Sequence, residues 1–308
     1  MAKINTLEFA KLMQTQLDQQ MVAELTSGWM EQNAGQVKYS GGDEVKIPTM
    51  STSGLANYDR DNGFVQGGIT LKYDTYKMTQ DRGRTFQLDA MDVDESNFVA
   101  TSANAIKVFQ QEKVAPEIDA YRYSKIHAIA NTASQTESID LTADNALKKM
   151  LEHIAAVEDV VGEGRELVIS MTSQMRNLIL DDPKISKYIS VSDFQQGKIT
   201  LKVKTINDNC FIKIVPSARF MTLYDVKDGT TSGQETGGLT PNASAKKINY
   251  LITPKNVPLA ISKTDKLRIF EPGVNQKADA WKIDYRKYHD LWIKKQQEKT
   301  IFSCISAK

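Results

Sequence analysis

"EKVAPEIDAYRYSKI", residues 112–126, sets carboxylates, an arginine and two tyrosines behind a proline, which reads either as a catalytic cluster or as the charged face of a packed helix. Helical geometry decides between the two. At about 100° per residue, Glu117 and Asp119 lie about 160° apart around the axis, so they cannot work as one carboxylate pair. Asp119 and Arg122, three residues apart, share a face with Ile118, Ile126 and Ile129, and this spacing predicts a local ion pair at the edge of a packed surface. Tyr121 and Tyr123 then supply apolar area with a polar tip. Upstream the apolar pattern runs through Phe98, Ile106 and Phe109. Pro116 removes a backbone donor and crowds the carbonyl four residues back, so a kink or a restart with Pro116 in the first turn is expected. Asp92, Asp94 and Glu95 favour a helix N-terminus ahead of this run.

Before the helix, two segments carry apolar surface that one molecule does not readily cover. Residues 5–33 read as a helix with Phe9, Met13, Leu17, Met21, Leu25 and Trp29 at four-residue steps. Each step advances about 40°, so the stripe winds about 200° around the helix and no single flat surface covers it. Either the helix breaks near "TSGW" or it lies across more than one partner surface. From Val45 to Leu88 the period becomes two: "VKI", "ITLKY" and "TFQL" alternate as half-buried strands, while "STSGLANYDRDNGF" and "QDRGR" have the composition of turns. A two-stranded ribbon is marginal in water without a surface to lie on.

After the helix, residues 141–161 form the cleanest amphipathic pattern, closed by "GEG". "RELVIS" reads as a buried strand, "TSQMRNLIL" as a helix capped by Thr172 or Ser173, and "ITLKVKT" and "CFIKIVP" as strands. "KDGTTSGQETGGLTPNASAKK" is expected to be a long polar loop. "INYLI", "VPLAIS", "KLRIF" and "AWKIDYRKYHDLWI" complete the strands of a mixed domain.

Composition excludes several classes. Among 308 residues, Lys and Arg number 39 against 38 Asp and Glu, a formal charge of +1 that provides no basic field for nucleic acid or anionic lipid. Cys210 and Cys304 lack metal-ligand spacing and are expected to be free thiols. The start, "MAKINTLEFAKLM", has no signal-peptide core, and no stretch of about 18 apolar residues occurs. "DVDESNF" and "YDRDNG" fail as calcium loops, because the twelfth positions from Asp92 and Asp59 are Ala103 and Thr70. "GTTSG" puts Ser232 off the spacing of a nucleophile elbow, and no phosphate-binding loop is present. His127, His153 and His289 stand apart in sequence; His289 beside Asp290 is the one pairing that a hydrolase could use. No catalytic residue, cofactor or metal ligand is assigned.

The order of these elements, with the phrases "SGLANYDRDNGF", "DRGRTFQLDAMDVDESNF", "VAPEIDAYRYSKI" and "PGVNQKADAWKIDYRKYHDLWI", resembles the major capsid proteins of tailed bacteriophages across nearly the whole chain. The resemblance implies an α+β fold of the Hong Kong 97 phage type. Its parts would be an N-terminal arm over 1–35 and a peripheral domain over 36–133, which contains an extended E-loop (48–84) and a spine helix (95–130). An axial domain over 134–253 and a return to the peripheral domain over 254–308 complete it. It implies assembly through the arm stripe and through Tyr58, Arg60, Asp61 and Phe64 of the E-loop. The implied partners are further copies of the chain in hexamers and pentamers, a portal, and a separately encoded scaffold. The shell would enclose double-stranded DNA without binding it specifically, with no membrane, in the virion and in the host cytoplasm during assembly. Lys72 and Lys77 lie near the E-loop, but nothing selects an asparagine for covalent cross-linking. Two alternatives stand beside this reading: an encapsulin-like shell around cargo proteins, and a cytosolic hydrolase using His289 and Asp290.

Overall fold

A computed structural model describes residues 25–39, 44–61, 63–89, 106–182, 184–185, 188–196, 199–270, 273 and 279–307. The described residues form four β-sheets and, besides the short helical stretch 106–109, three α-helices. The strands are β1 (Lys38–Tyr39), β2 (Glu44–Thr52), β3 (Ile69–Lys77), β4 (Gln80–Asp89), β5 (Thr136–Ser138), β6 (Leu167–Met171), β7 (Ile189–Gln196) and β8 (Ile199–Ile206). They continue as β9 (Cys210–Ile214), β10 (Tyr224–Lys227), β11 (Gly238–Pro241), β12 (Ile248–Pro254), β13 (Leu259–Phe270), β14 (Ala280–Trp292) and β15 (Phe302–Ile305). The helices are α1 (Ala115–Thr132), α2 (Ala146–Val161) and α3 (Ser173–Leu180).

A seven-stranded mixed sheet, ordered β5-β15-β12-β6-β9-β8-β7, forms the larger body. Its central strand β6 is buried along its whole length because both faces are covered. Leu167, Ile169 and Met171 meet the apolar face of α2 and α3, from Met150 and Ile154 to Met175 and Ile179. Val168 points the other way, into a core built from Tyr123 and Ile126 of α1, Trp29, Phe194 and Phe220. The period-two alternation of the strand delivers one apolar set to each layer. Of the two caps that its sequence offers, α3 uses Thr172, whose Oγ1 accepts from Met175 N at 3.3 Å. Gly162, at φ +93°, ends α2 in a conformation that disfavours side-chain-bearing residues.

A second sheet, β13-β14-β4, is antiparallel throughout. Helical residues 106–109 lie on it, with Ile106 against Ile283 and Phe109 edge-on to Phe86 and Tyr285. Between this turn and α1 the chain makes a π-turn over Gln110–Val114, in which Ala115 N donates to Gln110 O. The cause is Pro116, in the first turn of α1: it has no N–H for the Glu112 carbonyl and would crowd it, and widening the preceding turn removes the clash.

Several expectations change. Of the segment read as helix over 5–33, the described part is a turn at residues 26–27 and a 3-10 helix over Gly28–Gln36, in line with the alternative of a break near "TSGW", because side-chain acceptors take the Thr26 and Ser27 N–H groups that an α-helix would use. The polar loop after Lys227 contains a strand, since Gly238–Pro241 pairs with Tyr224–Lys227. "VPLAIS" and "KLRIF" are one strand, β13, with an irregularity between Ser262 and Thr264. Phe302–Ile305 inserts between β5 and β12 in the large sheet. The expected helix N-terminus at Asp92, Asp94 and Glu95 lies outside the described residues.

Candidate assembly surfaces and their anchorage

Strands β2 and β3 form an antiparallel ribbon from Glu44↔Lys77 to Thr52↔Ile69. Directly opposed residues project from the same face, so the register assigns every side chain to one of two faces. On one face, Val45, Ile47 and Tyr76 near the base are packed against Leu259, Ile261, Tyr288 and Trp292 of the second sheet. Further out the same face turns polar, with Thr49, Ser51, Thr70 and Lys72. The other face does the reverse. It is polar at the base, with Glu44, Lys46, Thr75 and Lys77, then apolar beyond it: Pro48 opposite Tyr73, and Met50 opposite Leu71. Ile69 extends this stripe and is 74% exposed. The ribbon thus exchanges its apolar side between base and outer half, and the outer stripe faces away from the sheet that holds the base.

The tip, residues 53–68, adds Leu55, Tyr58, Phe64 and Val65, all exposed. The Tyr58 and Phe64 rings meet at a tilt of 59° with centroids 4.9 Å apart, joined by the paired backbone hydrogen bonds of Asp59 and Gly63. Asp61 N donates to Asp59 Oδ1 at 2.9 Å, and Arg60 and Asp61 are exposed in the turn. The structure therefore brings the four E-loop residues singled out in the sequence to one projecting tip. Sequence reading missed Met50, Ile69, Leu71 and Tyr73; the alternation that marked them as strand became informative about contact only once the register was known. The ribbon also ends at Lys77, short of residue 84, because Gln80 to Arg84 pair with β14.

Of the stripe Phe9, Met13, Leu17, Met21, Leu25 and Trp29, the first four lie outside the described residues. Leu25 and Trp29 are each 1% exposed and belong to the chain's own core, Leu25 against Ala115 and Ile118, Trp29 edge-on to Phe194. They are not available to a neighbouring molecule.

Helix α1 holds both segments. Asp119, fully buried, accepts from Thr26 N and Oγ1 at 3.1 and 2.9 Å, from Ser27 N and Oγ at 3.0 and 2.6 Å, and from Arg219 Nη1 at 3.1 Å. The ion pair expected between Asp119 and Arg122 does not form. Arg122 pairs with Glu31 at 2.5 Å and donates to Ser27 O and Oγ, so Ser27 stands between the two. Burial alone raises the Glu31 carboxyl, but Arg122 and Lys287 beside it bring its pKa below the usual value. Asp290 on β14, also fully buried, accepts from Thr79 N and Oγ1 at 2.9 and 3.0 Å, Tyr121 OH at 2.6 Å, Leu291 N at 2.7 Å and the Lys125 ammonium. Burial and the Asp290 charge push the Tyr121 phenol well above its ordinary range, keeping it a donor. Glu117 pairs with Arg82, whose Nη2 also donates to Lys227 O at 3.1 Å.

The same geometry weighs against catalysis. Asp290 is occupied by donors from β14, α1 and the ribbon root, and His289 is not among them. His289 is held far below its usual pKa by burial, with Arg122, Lys287 and Lys125 adding to it. His127 Nδ1 meets Ser303 Oγ at 2.8 Å, and His153 lies between Tyr250 OH at 2.7 Å and Glu137 at 2.6 Å. Both cysteines are free and buried, and burial pushes their thiols up to about 12 at Cys210 and about 11 at Cys304, away from nucleophilic thiolate. Ser232 is exposed in a turn whose N–H groups at Thr230 and Thr231 are taken by Asp228. Among the described residues no group of His, Cys, Asp and Glu could hold a metal ion, and no helix is long and apolar enough to cross a membrane.

No protein-family model matches the chain. No curated protein matches it either. Solved structures do. A chain in the capsid structure of the cyanophage P-SCSP1u superposes with a TM-score of 0.56 at 9% identity, covering 88% of this chain and 85% of that one. One from the asymmetric unit of the bacteriophage PhiM1 mature capsid gives 0.56 at 12% identity, covering 87% and 83%. One from Microbacterium phage Oxtober96 gives 0.56 at 9% identity, covering 89% and 90%. The chain therefore has the mixed helix and sheet fold of these phage structures along most of its length, with sequence all but unrecognisable.

Proposed function

We propose that this chain is the major capsid protein of a tailed bacteriophage. Copies assemble as hexamers and pentamers into an icosahedral shell around double-stranded DNA, and the role is structural, without catalytic turnover. The observation that carries the reading is the outer half of the ribbon: its apolar stripe of Pro48, Met50, Ile69, Leu71 and Tyr73 is turned away from the sheet that packs its base. In a fold shared with capsid chains, such a surface is explained by a second copy of the same chain. Ribbon and tip take the part of the E-loop, α1 with the helical residues before it the spine, and residues before Leu25 the arm. Many modest contacts of this kind add up through multivalency while each remains reversible enough to correct errors. Closed symmetry turns them into a shell. A portal and a separate scaffold are the further partners, with the virion, and the host cytoplasm during assembly, as the location.

Negative-stain imaging of the purified protein, at rising concentration and with scaffold co-expression, tests this. Closed particles of uniform diameter are expected. A chain that remains monomeric under all these conditions would falsify the proposal. Phage DNA rather than a co-purifying cargo protein inside particles from infected cells separates the phage shell from an encapsulin-like one.

A further inference from the structure

Two places where a segment is anchored beside α1, the turn at Thr26 and the root of the ribbon at Thr79, are built alike. At each, a threonine gives both its backbone N–H and its hydroxyl to one oxygen, Oδ2, of a fully buried carboxylate: Thr26 to Asp119, Thr79 to Asp290. At each, a cation from a different element balances the charge, Arg219 for Asp119 and Lys125 for Asp290. Each grip also depends on α1, which carries Asp119 itself, and Tyr121 and Lys125 for Asp290. Thr79 lies just past the end of β3, between the ribbon and the strand that pairs with β14. The preceding residue is fixed as well, since Met78 is buried and its carbonyl accepts from Tyr288 OH at 3.2 Å.

A buried carboxylate costs several kcal/mol to desolvate unless donors surround it. Asp290 recovers that cost in full only when Thr79 occupies its place, because two of its five donors come from that residue. The geometry points to Asp290, Tyr121 and Lys125 as positioning residues that clamp the ribbon root and fix the direction in which the ribbon leaves the body. Asp119 separately holds the turn at Thr26 and Ser27. A lever anchored on a buried carboxylate, rather than by apolar contact alone, resists small rotations, since any tilt withdraws the two Thr79 donors from Asp290. The inference rests on the ribbon being a contact between copies only for its purpose. Its geometry is testable on the subunit alone.

The test uses full-length subunits held below the concentration at which they assemble, spin-labelled at Gly54→Cys on the exposed ribbon tip and Glu163→Cys on the turn after α2. Electron–electron double resonance reads the distribution of tip-to-body distances. A narrow distribution is expected in the parent. It broadens in Asp290→Asn and in Thr79→Val, which removes only the hydroxyl, and narrows again in Thr79→Ser, with circular dichroism unchanged. Asp119→Asn, equally buried and on the same helix, leaves it narrow. Should Asp290→Asn fail to fold, Thr79→Val against Thr79→Ser decides. An unchanged width in the folded variants, or equal broadening in Asp119→Asn, overturns the proposal. Because no shell is involved, failure here leaves the capsid reading standing, and absence of shells leaves the clamp standing.

Discussion

Lys213 shows how much one side chain contributes in this core. It lies on β9 at 7% exposure with its ammonium 4.9 Å from the centre of the Phe194 ring. Burial pushes its pKa down to about 8 from 10.5, with Asp119 pulling the other way. The unfolded chain keeps this proton up to the higher value, while the folded chain loses it at the lower. Between the two the unfolded state binds more protons, so this group's contribution makes stability rise with pH from about 8 to 10.5. Below that window the folded protein carries the cost of burying this charge, reduced by Asp119 and by the Phe194 ring. Lys213→Met is therefore expected to stabilise the subunit at pH 7 by about 1–2 kcal/mol, as replacing buried ions with apolar groups commonly does. Urea melts of both proteins at pH 7 and pH 9 check it: the difference must shrink at the higher pH. The neighbouring acid shows the limit of reading residues from sequence. Spacing correctly put Asp119 on the buried face of α1, away from Glu117, but a carboxylate at that depth needs several donors. Those came from Thr26, Ser27 and Arg219, about 90 to 100 positions away, which no helical projection reveals.

At the scale of elements, the ribbon makes the sharpest prediction, because its two faces carry opposite chemistry in the outer half. Leu71→Lys places a charge in the apolar stripe, and Thr70→Lys places the same charge on the adjacent, polar face. Both positions are exposed, so each variant should fold with a change in stability within about 0.5 kcal/mol. Only Leu71→Lys should abolish particle formation, read by light scattering and electron microscopy. Equal loss, or no loss, in both would mean that the stripe is not the contact. Period-two alternation made these strands legible, as the continuous apolar run made β6 and the Thr172 cap made α3. What stayed hidden was the exchange of faces at Pro48 and Thr49. Alternation names two sides without saying which one is covered, and only the packing of Val45 and Ile47 on β13 and β14 supplies that. The π-turn before Pro116 was half legible: the proline announced a disturbance, and its form depended on how residues 106–109 lie on the second sheet.

For the whole molecule, the question is where the body ends and its projections begin. The seven-stranded sheet takes β15 from the far end of the chain, and the core beneath α1 takes Trp29 and Met30 from near its start. Distant segments thus share one body, since pairing between them is decided by burial rather than by order. The same fact sets the boundary for testing the N-terminal arm. Deleting residues 1–24 spares Leu25, Trp29 and the Thr26 and Ser27 donors of Asp119, so the truncated subunit should melt as the parent does. Deleting residues 1–30 removes Trp29 from against Phe194 and strips Asp119 of four donors. Loss of that tryptophan alone costs about 3–5 kcal/mol. The two deletions separate folding from assembly. If Phe9, Met13, Leu17 and Met21 bind a neighbouring copy, the shorter deletion yields a folded subunit that forms no closed particles even though its ribbon is intact. Particles assembling from it at the parent's critical concentration would remove the arm from the contacts and leave the ribbon to hold the shell.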